Sequence, residues 1–335
     1  MEYVQLGKTG LCVSRVGFGG IPIQRIDAAR TVSLFDTLIE CGVNYIDTAR
    51  GYTVSEEYIG QAIKGRRDKF ILATKSMART DEAMALDIET SLKNLGTDHI
   101  ELYQVHNPSL EQLNTVISPN GALKALLKAK AEGKIGAIGL TAHSLEVFEA
   151  ALECDWVETI MFPYSIVETH GETLIAGCRE KGIGFIAMKP FAGGALDDAD
   201  IALGYILNNP GVSVAIPGMY SPDEVRKNTS VCPHEFSPSE TERMLKIREE
   251  LGTTFCRRCG YCLPCTAGIA IPNVFTFSAY FERYGLEDWG RSRYLSMSVQ
   301  ADACISCGVC ETRCPYNLPI RALLKEKHSA FSKDS

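Results

Sequence analysis

The sequence predicts an α/β fold in which a (β/α)₈ TIM barrel precedes a smaller, mostly α-helical domain. Three observations support this prediction. Short β-branched runs alternate with longer amphipathic stretches from about residue 15 to 230, which is typical of repeated βα units. Eight cysteines are concentrated between Cys256 and Cys314. A chain of 335 residues is long enough for a barrel of roughly 250 residues and a small additional domain.

Eight apolar runs are predicted to form the barrel strands. They cover residues 15–19, 43–47, 70–74, 100–105, 135–140, 157–161, 184–188 and 212–216. Helical periodicity follows them, for example over 30–40, 81–95 and 121–132. An open, doubly wound sheet is the alternative, but it typically has fewer strands and a glycine-rich phosphate loop after the first one. A closed barrel is therefore favoured.

The domain boundaries follow changes in composition. Residues 1–14 predict a hairpin around Gly7–Gly10 that closes the bottom of the barrel. Residues 1–235 are assigned to the barrel, a charged helix at 236–251 is predicted to link the two domains, and residues 252–335 are assigned to the cysteine-rich domain. Loose helical spacing over 274–284 predicts that this last domain is mostly helical.

Composition and charge exclude several classes of protein. The net charge is −7 and no long basic run is present, so the sequence lacks the positive stripe that binds nucleic acid. No segment approaches the roughly 20 apolar residues of a membrane span, and the first ten residues lack the features of a signal peptide. A cytoplasmic protein with neither nucleic acid nor a membrane as partner is expected.

The cysteine spacing predicts two [4Fe-4S] clusters. Residues 304–314 read C-x₂-C-x₂-C-x₃-C and are followed by Pro315, which is the run of bacterial ferredoxins whose fourth cysteine binds the other cluster. The block at 256–265 differs in its last gap, which has two residues. If the same exchange applies, one cluster is bound by Cys256, Cys259, Cys262 and Cys314. The other cluster is then bound by Cys304, Cys307, Cys310 and Cys265.

Structural zinc is the alternative for these eight cysteines, because a Cys₄ set also suits Zn²⁺. Zinc ribbons pair two C-x₂-C knuckles and have no use for a third and fourth cysteine in close series, so iron and sulfide are favoured. The remaining cysteines are expected to be small buried apolar residues; they are Cys12, Cys41, Cys154, Cys178 and Cys232.

Polar residues follow the apolar runs at the end of the barrel where such folds have their active sites. Asp47, Lys75 and His106 end the second, third and fourth predicted strands, and Tyr52 follows the second. Taken alone, the tyrosine or the histidine is explained as a hydrogen-bonded scaffold residue, and Asp47 with Lys75 as an ordinary ion pair. Together they form an acid–base set, because a cation such as Lys75 lowers the pKa of a phenol from its ordinary value near 10.

These four residues, with Ser55-Glu56, resemble the catalytic tetrad of the aldo/keto reductase family, and the resemblance covers about residues 3–230. It implies that Tyr52 is the general acid, that Lys75 lowers its pKa, that Asp47 holds Lys75 and that His106 orients the carbonyl. It also implies a small carbonyl or alcohol substrate and a hydride from a nicotinamide coenzyme, NAD(H) or NADP(H).

The resemblance extends to a coenzyme site. A pyrophosphate-side loop at 188–194, an adenosine-side motif at 216–228 and three strand ends supply the implied residues: Gly20, Thr141, Met161, Met188, Lys189, Pro190, Gly193, Gly194, Pro217, Gly218, Ser221 and Asn228. Two of these depart from the family pattern. Met188 stands where many members have an aromatic ring against the nicotinamide, and Met161 stands where they have a glutamine for its carboxamide.

The adenosine-side motif bears on the choice of coenzyme. Gly218 and Glu224 stand where NADPH-specific members have basic residues for the 2′-phosphate, and a carboxylate repels a phosphate. Arg226 and Lys227 are near enough in sequence to compensate. The sequence therefore favours NADH and leaves NADPH open.

The whole chain resembles a subgroup of the family in which the barrel precedes a ferredoxin-like dicluster domain. We expect an oxidoreductase whose clusters exchange electrons with an external ferredoxin or flavoprotein. The alternative is an iron–sulfur electron-transfer or redox-sensing protein whose barrel is a binding module, which the two methionines favour. In a third possibility the clusters are purely structural.

Overall fold

The computed structural model describes residues 1–252, 255–258, 260–314 and 316–332. The chain divides into two compact units. The first contains residues 1–191 and 197–234, and the second contains residues 192–196 and 235–335. Each unit has a hydrophobic core of its own.

An N-terminal hairpin opens the first unit. Its strands, β1 (Tyr3–Gln5) and β2 (Cys12–Ser14), are antiparallel. The connecting turn has glycines with positive φ at both ends, Gly7 at 56° and Gly10 at 77°, a conformation that glycine adopts without steric cost. Leu6 is fully buried in the same apolar cluster as the inward-facing strand residues. Lys8 N donates to Gly182 O, just before a barrel strand begins, at 2.8 Å. The predicted hairpin at the barrel bottom is confirmed.

Eight parallel strands form the barrel, and each pairs with its neighbours in chain order. The first and last are joined by backbone hydrogen bonds, because Gly17 N donates to Ala215 O at 2.8 Å and Gly19 N donates to Pro217 O at 2.9 Å. The predicted (β/α)₈ barrel is confirmed. The strands are β3 (Phe18–Gly19), β4 (Tyr45–Asp47), β5 (Ile71–Ser76), β6 (Ile100–His106), β7 (Ile135–Thr141), β8 (Thr159–Pro163), β9 (Gly184–Met188) and β10 (Val214–Ile216).

Helices cover the outside of the strands, and local sequence signals set their ends. The Thr80 hydroxyl accepts from Ala83 N to cap one helix, which ends at the left-handed Gly96. Ser109 and Gln112 form a capping box on the next. The helices are α1 (Ala28–Glu40), α2 (Ser55–Ala62), α3 (Asp81–Leu95), α4 (Leu110–Ile117), α5 (Ala122–Ala131), α6 (Leu145–Leu152), α7 (Glu172–Lys181), α8 (Ala199–Leu207) and α9 (Pro222–Thr229).

Helices are the regular secondary structure of the second unit, whose described residues contain no strand. Its core includes Tyr294 and Phe331, whose rings stack with centroids 4.2 Å apart, and the Tyr294 hydroxyl lies 2.7 Å from His328 Nδ1. The predicted mostly helical character is confirmed. The helices are α10 (Pro238–Gly252), α11 (Ile271–Glu282), α12 (Glu287–Leu295), α13 (Val309–Thr312) and α14 (Ile320–Ser332).

Helix length and polarity bear on membrane insertion. The longest helices of the described ranges are α3 and α10, with 15 residues each. Within these ranges, none of the helices is long and apolar enough to cross a bilayer.

The hairpin makes a testable contribution to barrel stability. Leu6→Ala removes a fully buried side chain and is expected to lower the free energy of unfolding by about 2 to 5 kcal/mol, because lost burial and the residual cavity add. Leu86→Ala on α3 is the matched control, since Leu86 is 68% exposed and such surface changes cost within about 0.5 kcal/mol. Urea unfolding followed by circular dichroism measures both. Equal midpoints for the two variants would refute the role of the hairpin.

Candidate functional site

The four predicted catalytic residues lie at one end of the barrel. Asp47 ends β4, Lys75 is the penultimate residue of β5, and His106 ends β6. Side chains two residues apart on a strand point to the same face, and Tyr45 lies among the inward-facing apolar residues. Asp47 therefore also points inward. Tyr52 lies in the segment between β4 and α2.

A buried ion pair forms the floor of this site. Lys75 Nζ donates to Asp47 Oδ2 at 2.6 Å and to Thr48 O at 2.8 Å. The second carboxylate oxygen accepts from Gln104 Nε2 at 3.4 Å. Asp47 and Lys75 are each only 2% exposed, so few water molecules screen the pair. The partners outside the tetrad hold both charges in one geometry.

Burial and pairing act in opposite directions on these two groups. Burial raises the pKa of Asp47, while the neighbouring ammonium opposes that rise. Burial lowers the pKa of Lys75, while Asp47 and the more distant Glu56 oppose that fall. A low dielectric disfavours a lone charge on either residue. Each charge therefore depends on the other.

Tyr52 lies directly above the ammonium. Lys75 Nζ is 4.9 Å from the centroid of the Tyr52 ring. The His106 ring meets the Tyr52 ring edge-on, with centroids 6.2 Å apart and an interplanar angle of 87°. Tyr52 and His106 are partly exposed, in contrast to the buried pair beneath them. The structure thus brings all four predicted residues together, and the two exposed members can meet a ligand.

A buried carboxylate network supports the site, although sequence reasoning gave it no role. Glu56 is 1% exposed. Its Oε1 accepts from the hydroxyls of Thr74 and Ser91, both at 2.8 Å, and its Oε2 accepts from Arg50 Nη1 at 2.7 Å. Arg50 N also donates to Lys75 O at 3.0 Å. The network ties α2 and α3 to the strand that carries Lys75. In the sequence, only the family-like dipeptide Ser55-Glu56 pointed to a role for Glu56 near the tetrad.

Three residues implied for the nicotinamide end lie on the inner face of the strands. Thr141 Oγ1 accepts from Asn107 N at 2.9 Å. Met161 and Met188 are 1% and 9% exposed and belong to the interior apolar cluster. A hydroxyl such as that of Thr141 suits a carboxamide, whereas thioethers provide an apolar surface with weak hydrogen bonding. The residues present fit a nicotinamide ring with few polar contacts.

Two of the implied glycines have a packing role, Gly20 after β3 and Gly218 in the adenosine-side motif. A Cβ on Gly20 would lie 2.7 Å from Asp47 O, and one on Gly218 would lie 2.8 Å from Pro22 Cγ. Close packing within the barrel therefore explains both glycines without a ligand. Ser221 caps α9 by accepting from Glu224 N at 3.3 Å. The remaining implied residues of this side are Pro217, which follows β10, and Asn228, which is buried on α9.

The charged residues of this motif have specific partners. Glu224 Oε2 accepts from Tyr220 N at 2.8 Å. Arg226 Nη2 lies 3.3 Å from Glu40 Oε2. A basic residue that the sequence reasoning missed, Arg25, lies over the Tyr220 ring with Cζ 4.1 Å from its centroid. Arg25 precedes this motif by nearly 200 residues, so no local pattern indicated it.

The pyrophosphate-side loop is divided between the two units. Lys189 and Pro190 belong to the first unit, whereas Gly193 and Gly194 belong to the second. Both glycines have positive φ, 68° and 81°, which glycine tolerates. Within the second unit, Gly193 O accepts from Arg283 Nε at 2.9 Å.

One set of four predicted cluster ligands lines a single small cavity in the second unit. The Thr266 hydroxyl lies 3.6 Å from one of these thiols, that of Cys307. Ile271 and Leu324 contribute apolar wall. Four thiols around one partly apolar cavity fit a [4Fe-4S] cluster. The set is Cys265, Cys304, Cys307 and Cys310.

The other predicted set is described in part. Cys262 and Cys314 are buried in the core of the second unit, and Cys256 packs against that core. Cys259 lies outside the described residues, as does Pro315. Arg257 follows Cys256 directly and is 7% exposed.

Zinc and iron–sulfur clusters require different ligand geometry. A single Zn²⁺ needs four ligands converging on one point, with sulfur at about 2.3 Å. Among the described residues, no three His, Cys, Asp or Glu side chains converge closely enough to hold a metal ion. Four cysteines nevertheless surround one cavity.

The five scattered cysteines differ from expectation in part. Cys178 is buried, and burial raises the pKa of its thiol to about 12. Cys41 and Cys154 are half-buried. The expectation of burial was wrong for Cys12 and Cys232, which are exposed. Cys12 is the first residue of β2 and is exposed, whereas the two residues that follow it in this strand are buried.

Comparison with known proteins decides the family. Residues 15–200 match the model of the aldo/keto reductase family, which is more than half of the chain. The chain belongs to the aldo/keto reductase family. Residues 255–319 of this reductase match the 4Fe-4S dicluster domain. The predicted recognition of both parts is confirmed.

Individual relatives cover mainly the barrel. The reductase is 30% identical over 228 residues to the NADH-specific methylglyoxal reductase of Escherichia coli, covering 58% of this chain and 69% of that protein. It is 27% identical over 284 residues to the L-galactose dehydrogenase of Arabidopsis thaliana, covering 69% and 88%. The holo form of an aldo-keto reductase from Bacillus halodurans superposes with a TM-score of 0.64 at 26% identity, covering 74% and 96%.

The buried pair predicts a pH-dependent variant. Lys75→Met leaves the Asp47 carboxyl buried without its cation and is expected to lower the free energy of unfolding by about 3 to 5 kcal/mol near neutral pH. Burial raises the folded-state pKa of Asp47 above its unfolded value, so the folded variant binds the proton more tightly. Its stability is then highest at low pH and falls as pH rises through the folded pKa.

Urea unfolding near pH 4, close to the unfolded pKa of an aspartate, and at about pH 8.5 measures this effect. The expected loss is larger at the higher pH. The matched control is the double variant Asp47→Asn/Lys75→Met, which removes both charges and should be less destabilised at pH 8.5 than Lys75→Met alone. A single variant that is equally destabilised at both pH values would count against the interdependence of the two charges.

The cysteine cavity predicts the metal content. Cys307→Ala removes one of its four thiols, so iron is expected to fall from about eight to about four atoms per chain, with acid-labile sulfide falling in parallel. Cys232→Ala is the matched control, because Cys232 is also exposed but lies in the first unit. Iron and sulfide analysis after anaerobic purification gives the answer. Stoichiometric zinc in place of iron would disprove the cluster assignment.

Proposed function

We propose that the barrel catalyses the NAD(P)H-linked interconversion of a small carbonyl compound and its alcohol, with Tyr52 as the general acid. The observation that carries this proposal is the position of the Tyr52 ring 4.9 Å from the buried Lys75 ammonium. A nearby cation favours the phenolate and so eases release of the phenolic proton at neutral pH. Family membership supports the same reaction class.

Each of the four residues has one role in this reaction. Tyr52 gives its proton to the carbonyl oxygen while a hydride arrives at the carbonyl carbon. The phenolic O–H bond and the C=O π bond are broken, a C–H and an O–H bond form, and the C–O single bond remains. Lys75 stabilises the resulting phenolate, and Asp47 holds Lys75 through the 2.6 Å hydrogen bond. His106, edge-on to Tyr52, orients the carbonyl. In the reverse direction the phenolate accepts the alcohol proton.

NADH is the proposed coenzyme. When bound, a reduced nicotinamide supplies the hydride. The Thr141 hydroxyl would hold the carboxamide, and the apolar faces of Met161 and Met188 would contact the ring. Glu224 at the start of α9 disfavours a 2′-phosphate, and Arg226 already lies near Glu40. The Escherichia coli relative is NADH-specific by name.

Two [4Fe-4S] clusters are proposed for the second unit, on the exchanged ligand sets that the spacing predicts. The cavity lined by four cysteines supports one of them, and the match to the dicluster domain supports both. A cubane passes one electron at a time, whereas a hydride carries two. An external one-electron carrier such as a ferredoxin or flavoprotein is therefore the proposed partner of the clusters.

A second candidate function is electron transfer or redox sensing with the barrel as a binding module. Met161 and Met188 favour it, because both are buried in the barrel interior where many members of the family have polar or aromatic contacts to nicotinamide. In this case the tetrad binds a ligand without turning it over. Cluster reduction and carbonyl reduction measured on the same sample separate the two functions.

The test is anaerobic carbonyl reduction with NADH and NADPH by the full chain. Tyr52→Phe is expected to lower kcat by about 10²- to 10⁴-fold, because the general acid is lost. Tyr58→Phe on α2 is the matched control, since it removes a hydroxyl from a neighbouring tyrosine that packs on the outer core and should leave kcat unchanged. NADH is expected to give the higher kcat/KM.

The outcomes discriminate between the candidates. Equal activity of Tyr52→Phe and the parent chain would exclude Tyr52 as the acid. Without carbonyl reduction at any coenzyme concentration, but with clusters that dithionite still reduces, the electron-transfer function would stand in its place. Bleaching of the cluster absorbance by NADH would show that coenzyme and clusters share an electron path.

A further inference from the structure

Three polar residues outside the tetrad form a hydrogen-bonded array at the barrel mouth. Lys189 Nζ lies 2.9 Å from His143 Nε2, and His143 Nδ1 lies 3.0 Å from Asn107 Oδ1. Asn107 directly follows β6, His143 follows β7, and Lys189 directly follows β9. The array, called here the mouth array, therefore crosses the C-terminal ends of the strands, where barrel enzymes bind their substrates.

The chemistry of the side chains determines which group donates in each hydrogen bond of the mouth array. An ammonium can only donate, so His143 Nε2 accepts from Lys189. The proton of the imidazole is then on Nδ1, which donates to Asn107 Oδ1. In this arrangement His143 is neutral and the positive charge is concentrated on Lys189. His143 and Lys189 are half-buried, which leaves the charge within reach of a ligand.

The backbone at both ends of the mouth array is strained. Asn107 has φ 46° and Lys189 has φ 58°, in the left-handed region that non-glycine residues rarely occupy. The backbone conformation of Asn107 is held by hydrogen bonds to Thr141. Asn107 N donates to Thr141 O at 3.0 Å and to Thr141 Oγ1 at 2.9 Å. Strain of this kind is retained mainly where a functional site requires it.

The mouth array begins beside the proposed carbonyl site. Asn107 is the next residue after His106, and Thr141 pairs with His106 across β6 and β7. Met161, which pairs with Thr141 in turn, is buried and apolar. The mouth therefore combines an acid–base pair on one side, an apolar floor, and a cation on the other side.

We propose that the mouth array binds a carboxylate of the substrate, so that the barrel prefers carbonyl compounds that also carry a carboxylate. This inference rests on the proposed carbonyl reduction and specifies its substrate class. The ammonium of Lys189 is a point charge that can donate to a carboxylate oxygen. A pyrophosphate carries more charge and is typically bound by backbone N–H groups at glycine-rich segments or helix N-termini. The substrate is therefore the favoured source of the anion.

The test compares two aldehydes of similar shape that differ in charge, 4-carboxybenzaldehyde and 4-nitrobenzaldehyde. The readout is the ratio of their kcat/KM values with NADH. Lys189→Met is expected to lower the preference for the carboxylate about 10- to 100-fold, the size of one charge-assisted hydrogen bond. Lys189→Arg, which keeps the charge, should retain most of the preference.

Lys181→Met is the matched control. Lys181 lies at the opposite end of β9, where its Nζ donates to Leu152 O at 2.9 Å, and its loss should leave the ratio unchanged. An unchanged ratio in Lys189→Met would overturn the proposal. A raised KM for NADH with both aldehydes affected equally would also overturn it, because the mouth array would then serve the coenzyme pyrophosphate.

A binding measurement keeps the inference separate from the proposed reaction. Calorimetry with benzoate and with neutral benzamide needs no turnover. Benzoate is expected to bind the parent chain about 10- to 100-fold more tightly than it binds Lys189→Met, while benzamide should not distinguish them. If neither aldehyde is reduced but benzoate binding depends on Lys189, the proposed reaction fails and the anion site stands. Equal benzoate affinity in both chains would refute the site.

Discussion

The buried pair of Asp47 and Lys75 is the interaction on which the barrel site depends. Two opposite charges, each 2% exposed, are stable there only together, because the interior solvates neither alone. Their 2.6 Å hydrogen bond fixes the ammonium on the inner face of β5. Tyr52 and His106 then lie above it where a ligand can reach them. Removing either charge therefore affects folding and chemistry together, which complicates any assignment of roles from activity alone.

The two units position their functional side chains in different ways. In the barrel, the backbone ladder of eight parallel strands positions side chains, and the polar groups of the site lie in the C-terminal halves of the strands and just after them. In the second unit, which is mostly helical, four thiols line one cavity next to an apolar core. An inorganic cluster there would supply cohesion that a small core lacks. Positioning the barrel side chains needs precise strand register, whereas binding a cluster needs the correct spacing of cysteines along the chain.

Sequence periodicity predicted the fold because it is a local property. Strand β9 was predicted at its observed bounds, and the polar residues that end the predicted apolar runs indicated correctly which end of the barrel carries Asp47. The Glu56 network, the position of Arg25 over Tyr220 and the link from Lys189 to His143 were not predicted. These contacts join residues far apart in sequence, and strand tilt and register determine them. The resemblance to the family implied that the glycines bind the coenzyme, but only the structure showed that packing requires Gly20.

Left-handed backbone at Asn107 and Lys189 has a consequence for protein engineering. A position with φ near 58° is relieved of steric strain by glycine, so selection for thermal stability alone would favour replacing Lys189. Such a variant would lack a charged group at the mouth. Consensus or stability-guided redesign of this barrel should therefore hold Lys189 fixed, because stability and ligand recognition favour different residues at that position.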